Sequence, residues 1–409
     1  MSNALTGLQI IVVAFSYVAL GIGSVPGLRM NRATIALVSA ALLIGLGTLS
    51  LEAAWQAIDA NTIVFLLSMM VVNAYLSYAG FFNLALLSLL RLTRSPFGLL
   101  GVLTVGTGLL SAVFLNDTLA LVSTPLTLQL TRSLKLNPIP YLLAIAGATN
   151  IGSLATLSGN PQNILVGAFS GIGYLDFAQA LVPVAIVGLG IQLGLLWLLY
   201  PEVRSLAPGT FPELPRLRYH RALLVKTLII TSLLLSAFVV GLPLGESAFL
   251  AAAALLVTRR IKPERVLQQV DWSLLVLFSG LFILTACVRS LSVVAAASLP
   301  LLTGVGAWVA HPVGLLAITV GLSNLISNVP AVLLLQGAIG PGNTESWLLL
   351  AAGSTLAGNL TLFGSVANLI MVEAAASAGC TLSFWQHLRF GLPLTLITLA
   401  VTYSWIVLR

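Results

Sequence analysis

Long apolar runs alternate with short polar stretches from one end of the chain to the other, and most runs are long enough to cross a bilayer as a helix of about 20 residues. The first covers 7–27 and stops before Arg29 and Arg32; the second, 33–50, leads to Glu52 and Asp59. A third starts near Asn61 and continues, broken at Gly80, to Arg91 and Arg94, which is too long for one straight span. The run 97–131 is interrupted at Asn116-Asp117 and again at Pro125, and 139–170 is interrupted at Ser158–Asn163. A span over 178–200 then returns to the longest polar stretch, 201–226, which reads as a linker between two halves. The second half predicts spans over 223–242 and 246–258, one from about Trp272 interrupted near Arg289, and a broken run over 305–343. A crossing over 347–372 with a second break and a last span over 391–408 complete it. The ten-residue alternation of a membrane barrel is absent. The expected fold is an all-α polytopic membrane protein with about ten transmembrane helices.

Composition agrees with that pattern. Of 409 residues, 58% are hydrophobic and 7% charged, where soluble domains carry about 25% charged residues. The net charge of +7 does not point to nucleic acid, because the basic residues sit in short clusters between apolar runs. Of the 18 Lys and Arg, all but Arg289 and Arg409 fall in loops on one side, the inner side by the positive-inside rule. The loops on the other side hold Glu52, Asp59, Asp176, Glu246 and Glu345 and no basic residue. This segregation puts both ends of 94–132 inside and both ends of 305–345 outside. Each of these segments therefore enters and returns as a re-entrant hairpin, an arrangement tolerated at membrane depth only when buried in protein or lining a cavity. The N-terminal Met1-Ser-Asn-Ala-Leu-Thr has no basic flank, so no cleaved signal peptide is expected. Cys287 and Cys380 form neither a disulfide framework nor a metal spacing. The expected location is a bacterial or archaeal cell membrane, with the lipid bilayer as partner.

Two polar breaks recur in each half. Phe114-Leu-Asn-Asp-Thr118 is followed by Gly159-Asn-Pro-Gln-Asn163; Leu325-Ile-Ser-Asn-Val-Pro330 is followed by Gly364-Ser-Val-Ala-Asn368. Gly147, Thr149, Gly152 and Leu154 match Gly353, Thr355, Gly358 and Leu360, and after a one-residue slip Thr156 and Asn163 match Thr361 and Asn368. Because the two hairpins enter from opposite sides, the repeats are inverted. The predicted units are 1–200, a cytoplasmic linker over 201–226, and 227–409. Paired broken segments in inverted repeats point to a secondary transporter with its site near the midplane. Gly190 and Gly194 are expected only to let helices pack closely.

These motifs resemble the ion transporter superfamily, which includes divalent anion/sodium symporters, citrate and arsenite permeases and a sodium/proton antiporter branch; the resemblance covers nearly the whole chain. It implies a scaffold domain beside a mobile transport domain, a homodimer, and hairpin tips that bind substrate. The divalent-anion branch carries Ser-Asn-Thr at each tip. Here the tips read Asn116-Asp117-Thr118 and Ser327-Asn328-Val329, and an Asn-Asp pair at the first tip is similar to the arsenite efflux permeases.

Asp117 is the only acidic residue in its run. A carboxylate at membrane depth costs several kcal/mol and marks a functional candidate. The breaks supply Asn116, Asp117, Thr118, Ser158, Gly159, Asn160, Asn163, Ser327, Asn328, Gly364, Ser365 and Asn368, and no Lys, Arg or His. A multiply charged anion would meet Asp117 unopposed, with repulsion of about 4 kcal/mol at 4 Å and an effective dielectric of 20. A protonated Asp117 or a neutral solute removes that conflict. Arsenite near neutral pH is mainly the uncharged trihydroxide, so the expected activity is proton-coupled efflux of arsenite or antimonite, with Asp117 as the proton-coupling residue. The alternative is a sodium- or proton-coupled carrier of di- or tricarboxylates or another small anion. An intramembrane protease would need a second catalytic acid, and no His-Glu-x-x-His motif is present. A channel would need a ring of ligands. No catalytic residue, metal or cofactor is expected. His220, His311 and His387 fall at predicted loops or edges.

Overall fold

In a computed structural model the protein is described over residues 3–25, 27–91, 93, 95–205, 219–295, 308–340 and 342–408. All regular structure among them is helical. Seven described helices are long and apolar enough to cross a membrane: Ala4–Ile22, Ala60–Ala79, Pro96–Val113, Tyr174–Leu199, Arg221–Val240, Trp272–Leu291 and Phe384–Val407. Shorter apolar helices complete the layer.

Apolar residues cover the outside of the molecule as well as its core. Ile11, Phe15, Val18 and Ile22 lie on one face of the first helix, spaced by four, three and four residues, and each is more than half exposed. In a membrane that stripe faces lipid. The interior holds an unusual load of buried Asn, Ser and Thr, which in hydrocarbon must find partners inside the protein.

The helices that position the site are α4 (Ala60–Ala79), α6 (Pro96–Val113), α7 (Asn116–Ser133), α8 (Ile139–Ser153) and α9 (Pro161–Ser170) in the first half. In the second half they are α15 (Pro312–Ile326), α16 (Asn328–Leu335), α17 (Thr344–Ala357) and α18 (Val366–Ser377). α14 is Trp272–Ala295 and α19 is Phe384–Val407. Each half thus runs helix, break, helix, then helix, break, helix. α6 and α7 both pack on α8, α7 lies along α18, and α9 lies along α16 and α17, so the four broken segments interleave. At the end of α7 the Arg132 guanidinium donates to the Ala378 carbonyl just past α18.

Local chemistry explains the breaks. Ser95 accepts the Gly98 N–H at 3.1 Å with Pro96 at the first helical position, a standard helix start. Gly80, with φ 83°, ends α4 in the left-handed conformation and turns the chain into Phe81–Leu90. At the tip between α6 and α7, Phe114 is held by edge-on contacts with Phe81 and Phe82, ring centroids 5.5 and 5.4 Å away.

Several expectations need correction. α7 continues through Pro125, whose missing N–H costs one hydrogen bond without ending the helix. α14 runs through Arg289 without interruption. The break in 139–170 begins at Leu154, earlier than its polar residues suggest. The helix after the polar stretch starts at Arg221; residues 206–218 of the expected linker lie outside the described residues. Gly190 and Gly194 face open space, whereas a Cβ on Gly152 would collide with the Gly108 backbone, so the close helix crossing is α6 on α8. His387 is not at a loop: it is buried within α19, with Nε2 3.1 Å from the Asn359 carbonyl.

Candidate functional site

The break after α8 is built by two asparagines. Asn160 caps α9, accepting the Asn163 N–H at 2.8 Å, with Pro161 at the first helical position. Its amide donates to Ser153 Oγ at 2.9 Å. The Asn163 amide donates back to the Ser153 and Thr156 carbonyls at 3.0 and 2.9 Å, satisfying acceptors that the end of α8 leaves open. The second half repeats this with Asn368, which donates to the Gly358 and Thr361 carbonyls at 2.8 and 3.4 Å. Asn163, Ser153 and Thr156 correspond to Asn368, Gly358 and Thr361 at one constant offset. The same offset pairs Thr149 with Ser354, whose hydroxyls each donate to a carbonyl three residues back. No one-residue slip is needed: matching identical letters had paired Thr149 with Thr355, but hydrogen-bonding role follows distance from the break.

In this register Asn150 is the counterpart of Thr355, and the two cross over. Asn150 donates to Asn359 Oδ1 at 2.9 Å and lies 3.5 Å from Asn368 Oδ1. It also accepts from the Ser365 hydroxyl at 2.9 Å. Thr355 donates to Asn163 Oδ1 and accepts from the Asn160 amide, both at 3.2 Å. Each half thus binds the break of the other.

The hairpin tips dock on the same centre. Asn116 is the first residue of α7; its N–H donates to the Gly159 carbonyl at 3.2 Å, and its amide lies 3.5 Å from Asn150 Oδ1. Asn328 is the first residue of α16, and in the orientation its neighbours require its amide donates to the Ser354 and Gly364 carbonyls at 3.1 and 3.3 Å. Asn116 therefore pairs with Asn328, Asp117 with Val329, and Leu115 with Ser327, one residue away from the pairing the sequence suggested.

Ser327 has φ 84° and ψ 157°, a region that costs a side-chain-bearing residue about 1–3 kcal/mol. Ser327→Gly is expected to raise the thermal midpoint in detergent, and Leu115→Gly, at an ordinary φ of −54°, to lower it. A lower midpoint for Ser327→Gly would show that the hydroxyl outweighs the strain.

The candidate residues therefore divide. Asn116, Gly159, Asn160, Asn163, Asn328, Gly364, Ser365 and Asn368 bond within this lattice. Ser158 joins its edge through Thr156 and Tyr174, at 3.3 and 3.0 Å. Asp117 and Thr118 instead line a cavity of about 280 Å³. Its other walls are Met70, Asn73, Ala74 and Ser77 on one face of α4, Leu115, Leu121 and Val122 beside the tip, Pro161 and Ile370 at the two breaks, and Gln269, Asp271 and Leu274 at one end. The lining holds two carboxylates, Asp117 and Asp271, and no Lys, Arg or His. Asp271 also borders a wider cavity of about 700 Å³ with Arg32, Asn324, Phe363 and Val366.

Asn150, Thr355, Asn359, Asn73 and Asp271 escaped the sequence reading. Asn150 and Thr355 stand in helical runs before the breaks. Asp271 sits beside an inner basic cluster and looks like loop. Asn73 is a lone amide in an apolar span, which is the signal that could have found it.

The comparisons with known proteins bear on the family and the fold. The CitMHS family model, described as a citrate transporter, matches residues 17–357. The silicon efflux transporter LSI3 of Oryza sativa subsp. japonica is 32% identical over 92% of this chain and 93% of its own length. The putative transporter arsB of Dictyostelium discoideum is 24% identical over 93% of this chain and 88% of its own. The crystal structure of the YdaH transporter of Alcanivorax borkumensis shares the fold, with a TM-score of 0.57 and 16% identity over 99% of this chain and 97% of that one. A multi-pass helical protein with paired broken helices, matched over most of its length by that family model, belongs to the CitMHS family of the ion transporter superfamily and is a secondary transporter rather than an enzyme.

Proposed function

We propose that this transporter exports a small, uncharged polyhydroxy solute in exchange for protons, with arsenite or antimonite as the substrate. One observation carries the reading: the cavity at the hairpin tip holds Asp117 and Asp271 and no cationic side chain. A citrate or dicarboxylate dianion there would meet like charge at a cost of about 4 kcal/mol per close pair. A neutral trihydroxide instead donates its O–H groups to an ionised carboxylate, a charge-assisted bond worth about 1.5–3 kcal/mol. Proton and solute then compete for Asp117: protonation takes up an acceptor and adds an O–H, and solute leaves. Coupled to alternating access, that competition gives antiport. Silicic acid has the same chemistry, and the similarity to a silicon efflux transporter and to a putative transporter named arsB supports a neutral hydroxide moving outward.

The reciprocal hydrogen bonds support two inverted repeats, 1–200 and 227–409, joined by a linker over 201–226. In this reading about ten crossings and two re-entrant hairpins alternate access around a fixed centre. The cavity reaches the turn at Gln269–Asp271, which follows Arg259, Arg260, Lys262 and Arg265; by the positive-inside rule it opens to the cytoplasm of a bacterial or archaeal cell. Association as a homodimer is part of the same proposal.

Everted membrane vesicles with an acid interior provide the test. Arsenite, antimonite and silicic acid should accumulate, and a protonophore should abolish accumulation. Uptake of citrate or succinate driven by sodium or protons, with no movement of arsenite, would replace this reading with the anion carrier.

A further inference from the structure

Asn73 has no part in the lattice that ties the asparagines of the two breaks. It is 3% exposed, and neither its amide nitrogen nor its oxygen has a hydrogen-bond partner among the described residues. It stands on the face of α4 formed by Met70, Asn73, Ala74 and Ser77, which lines the same cavity as Asp117 and Thr118. Asn150, Asn160, Asn163 and Asn368 each make two or more bonds; Asn359, Gln9 and Gln192 each leave one amide atom without a partner, and among the described residues Asn73 alone leaves both. An amide left open at membrane depth carries a desolvation cost with no return inside the protein. An occupant of the cavity supplies that return.

We infer that Asn73 is a solute-binding residue of the transport site, presenting a donor and an acceptor to the solute in the cavity that Asp117 also lines; this rests on the proposed function for the identity of the solute, not for the assignment itself. The chemistry it fits is a compact neutral molecule bearing several hydroxyls, each of which can donate to Oδ1 and accept from Nδ2. Ionised Asp117 offers acceptors alone and Thr118 a single hydroxyl, whereas Asn73 carries its donor and its acceptor on separate atoms and can hold a solute oxygen and a solute proton at once. Its position on α4, outside the two hairpins and the two broken helices, also puts one solute contact on a different element from Asp117. A movement of hairpin against α4 would separate the two contacts and release the solute.

Two measurements decide it. In vesicles, Asn73→Ala is expected to raise KM about tenfold, the loss of one hydrogen bond to a neutral solute, with maximal rate within twofold and thermal midpoint unchanged or higher, because the side chain makes no bond to lose. The panel is arsenite, silicic acid and citrate. Movement of citrate alone overturns the proposed substrate class, while KM for whichever solute moves still judges Asn73; a KM within twofold of the parent overturns the assignment. Independently of any solute, a chain carrying Cys287→Ser and Cys380→Ser with Asn73→Cys should react with a water-soluble methanethiosulfonate applied from the cytoplasmic face. Val72→Cys, also fully buried but absent from the lining, should not. Equal lack of reaction at both positions would remove Asn73 from the transport path.

Discussion

Asp117→Asn should collapse proton-driven accumulation completely while leaving solute exchange across the membrane in place. The asparagine keeps the size of the side chain, stays at the start of α7 and lines the same cavity, so the lattice around Asn116 and Gly159 is untouched. What it removes is the one group at the tip that can hold and lose a proton. Without it, solute still binds through neutral hydrogen bonds and equilibrates, but a proton gradient no longer moves it uphill. The folded protein should be as stable as the parent or more so, since a carboxylate in a membrane helix costs about 2.5–3.5 kcal/mol on insertion scales. The measurement is paired: gradient-driven uptake in everted vesicles, and counterflow with no gradient. Retained accumulation in Asp117→Asn would move proton coupling elsewhere, with Asp271 the next candidate because it lines the same cavity.

The second large effect is structural. Asn150→Ala removes the bond to Asn359 and the acceptor for Ser365, and leaves both, with Asn116, facing an apolar methyl group at the centre of the membrane. Each orphaned buried group costs about 1–3 kcal/mol, although hydrogen bonds between membrane helices measured singly average about 0.6 kcal/mol. A loss of about 2–4 kcal/mol is expected, read as a lowered thermal midpoint in detergent. Asn150→Thr, which copies the counterpart Thr355, should recover part of it. Thr398→Val provides the scale: that hydroxyl bonds only within its own helix, to the Leu394 and Thr395 carbonyls at 2.7 and 3.1 Å, and its loss should cost under about 0.5 kcal/mol. If Asn150→Ala unfolds no earlier than Thr398→Val, the crossed contacts do not hold the two halves together.

The sequence by itself determined the class of the molecule, the two polar breaks of each half and the acid that stands at the first of them. Those properties are written in local terms. Hydrophobic length predicts spans because lipid offers no partner to a peptide group. Asn-Pro and Asn-Asp inside apolar runs mark breaks because they stand where new helices start: Asn160 caps α9, and Asn116 is the first residue of α7. A lone Asp in hydrocarbon is conspicuous at any depth, and Asp117 lines the cavity at the tip as its isolation suggested. Tertiary structure decided what the remaining polar residues do. From the sequence, eight or more hydroxyls and amides looked free to surround a solute; folded, most of them bond to one another across the two halves, and only Asp117 and Thr118 face the cavity. The register of the repeat was also settled there, since hydrogen-bonding partners such as Asn150 with Ser365 and Thr355 with Asn163 lie about 200 residues apart and share no letters that an alignment rewards. The rest of the cavity lining, with Asn73 and Asp271, comes from α4 and the residue just before α14, which carry none of the four motifs. A pocket is formed by the approach of surfaces from distant parts of the chain, and side chains that meet only there leave no spacing in sequence to be read.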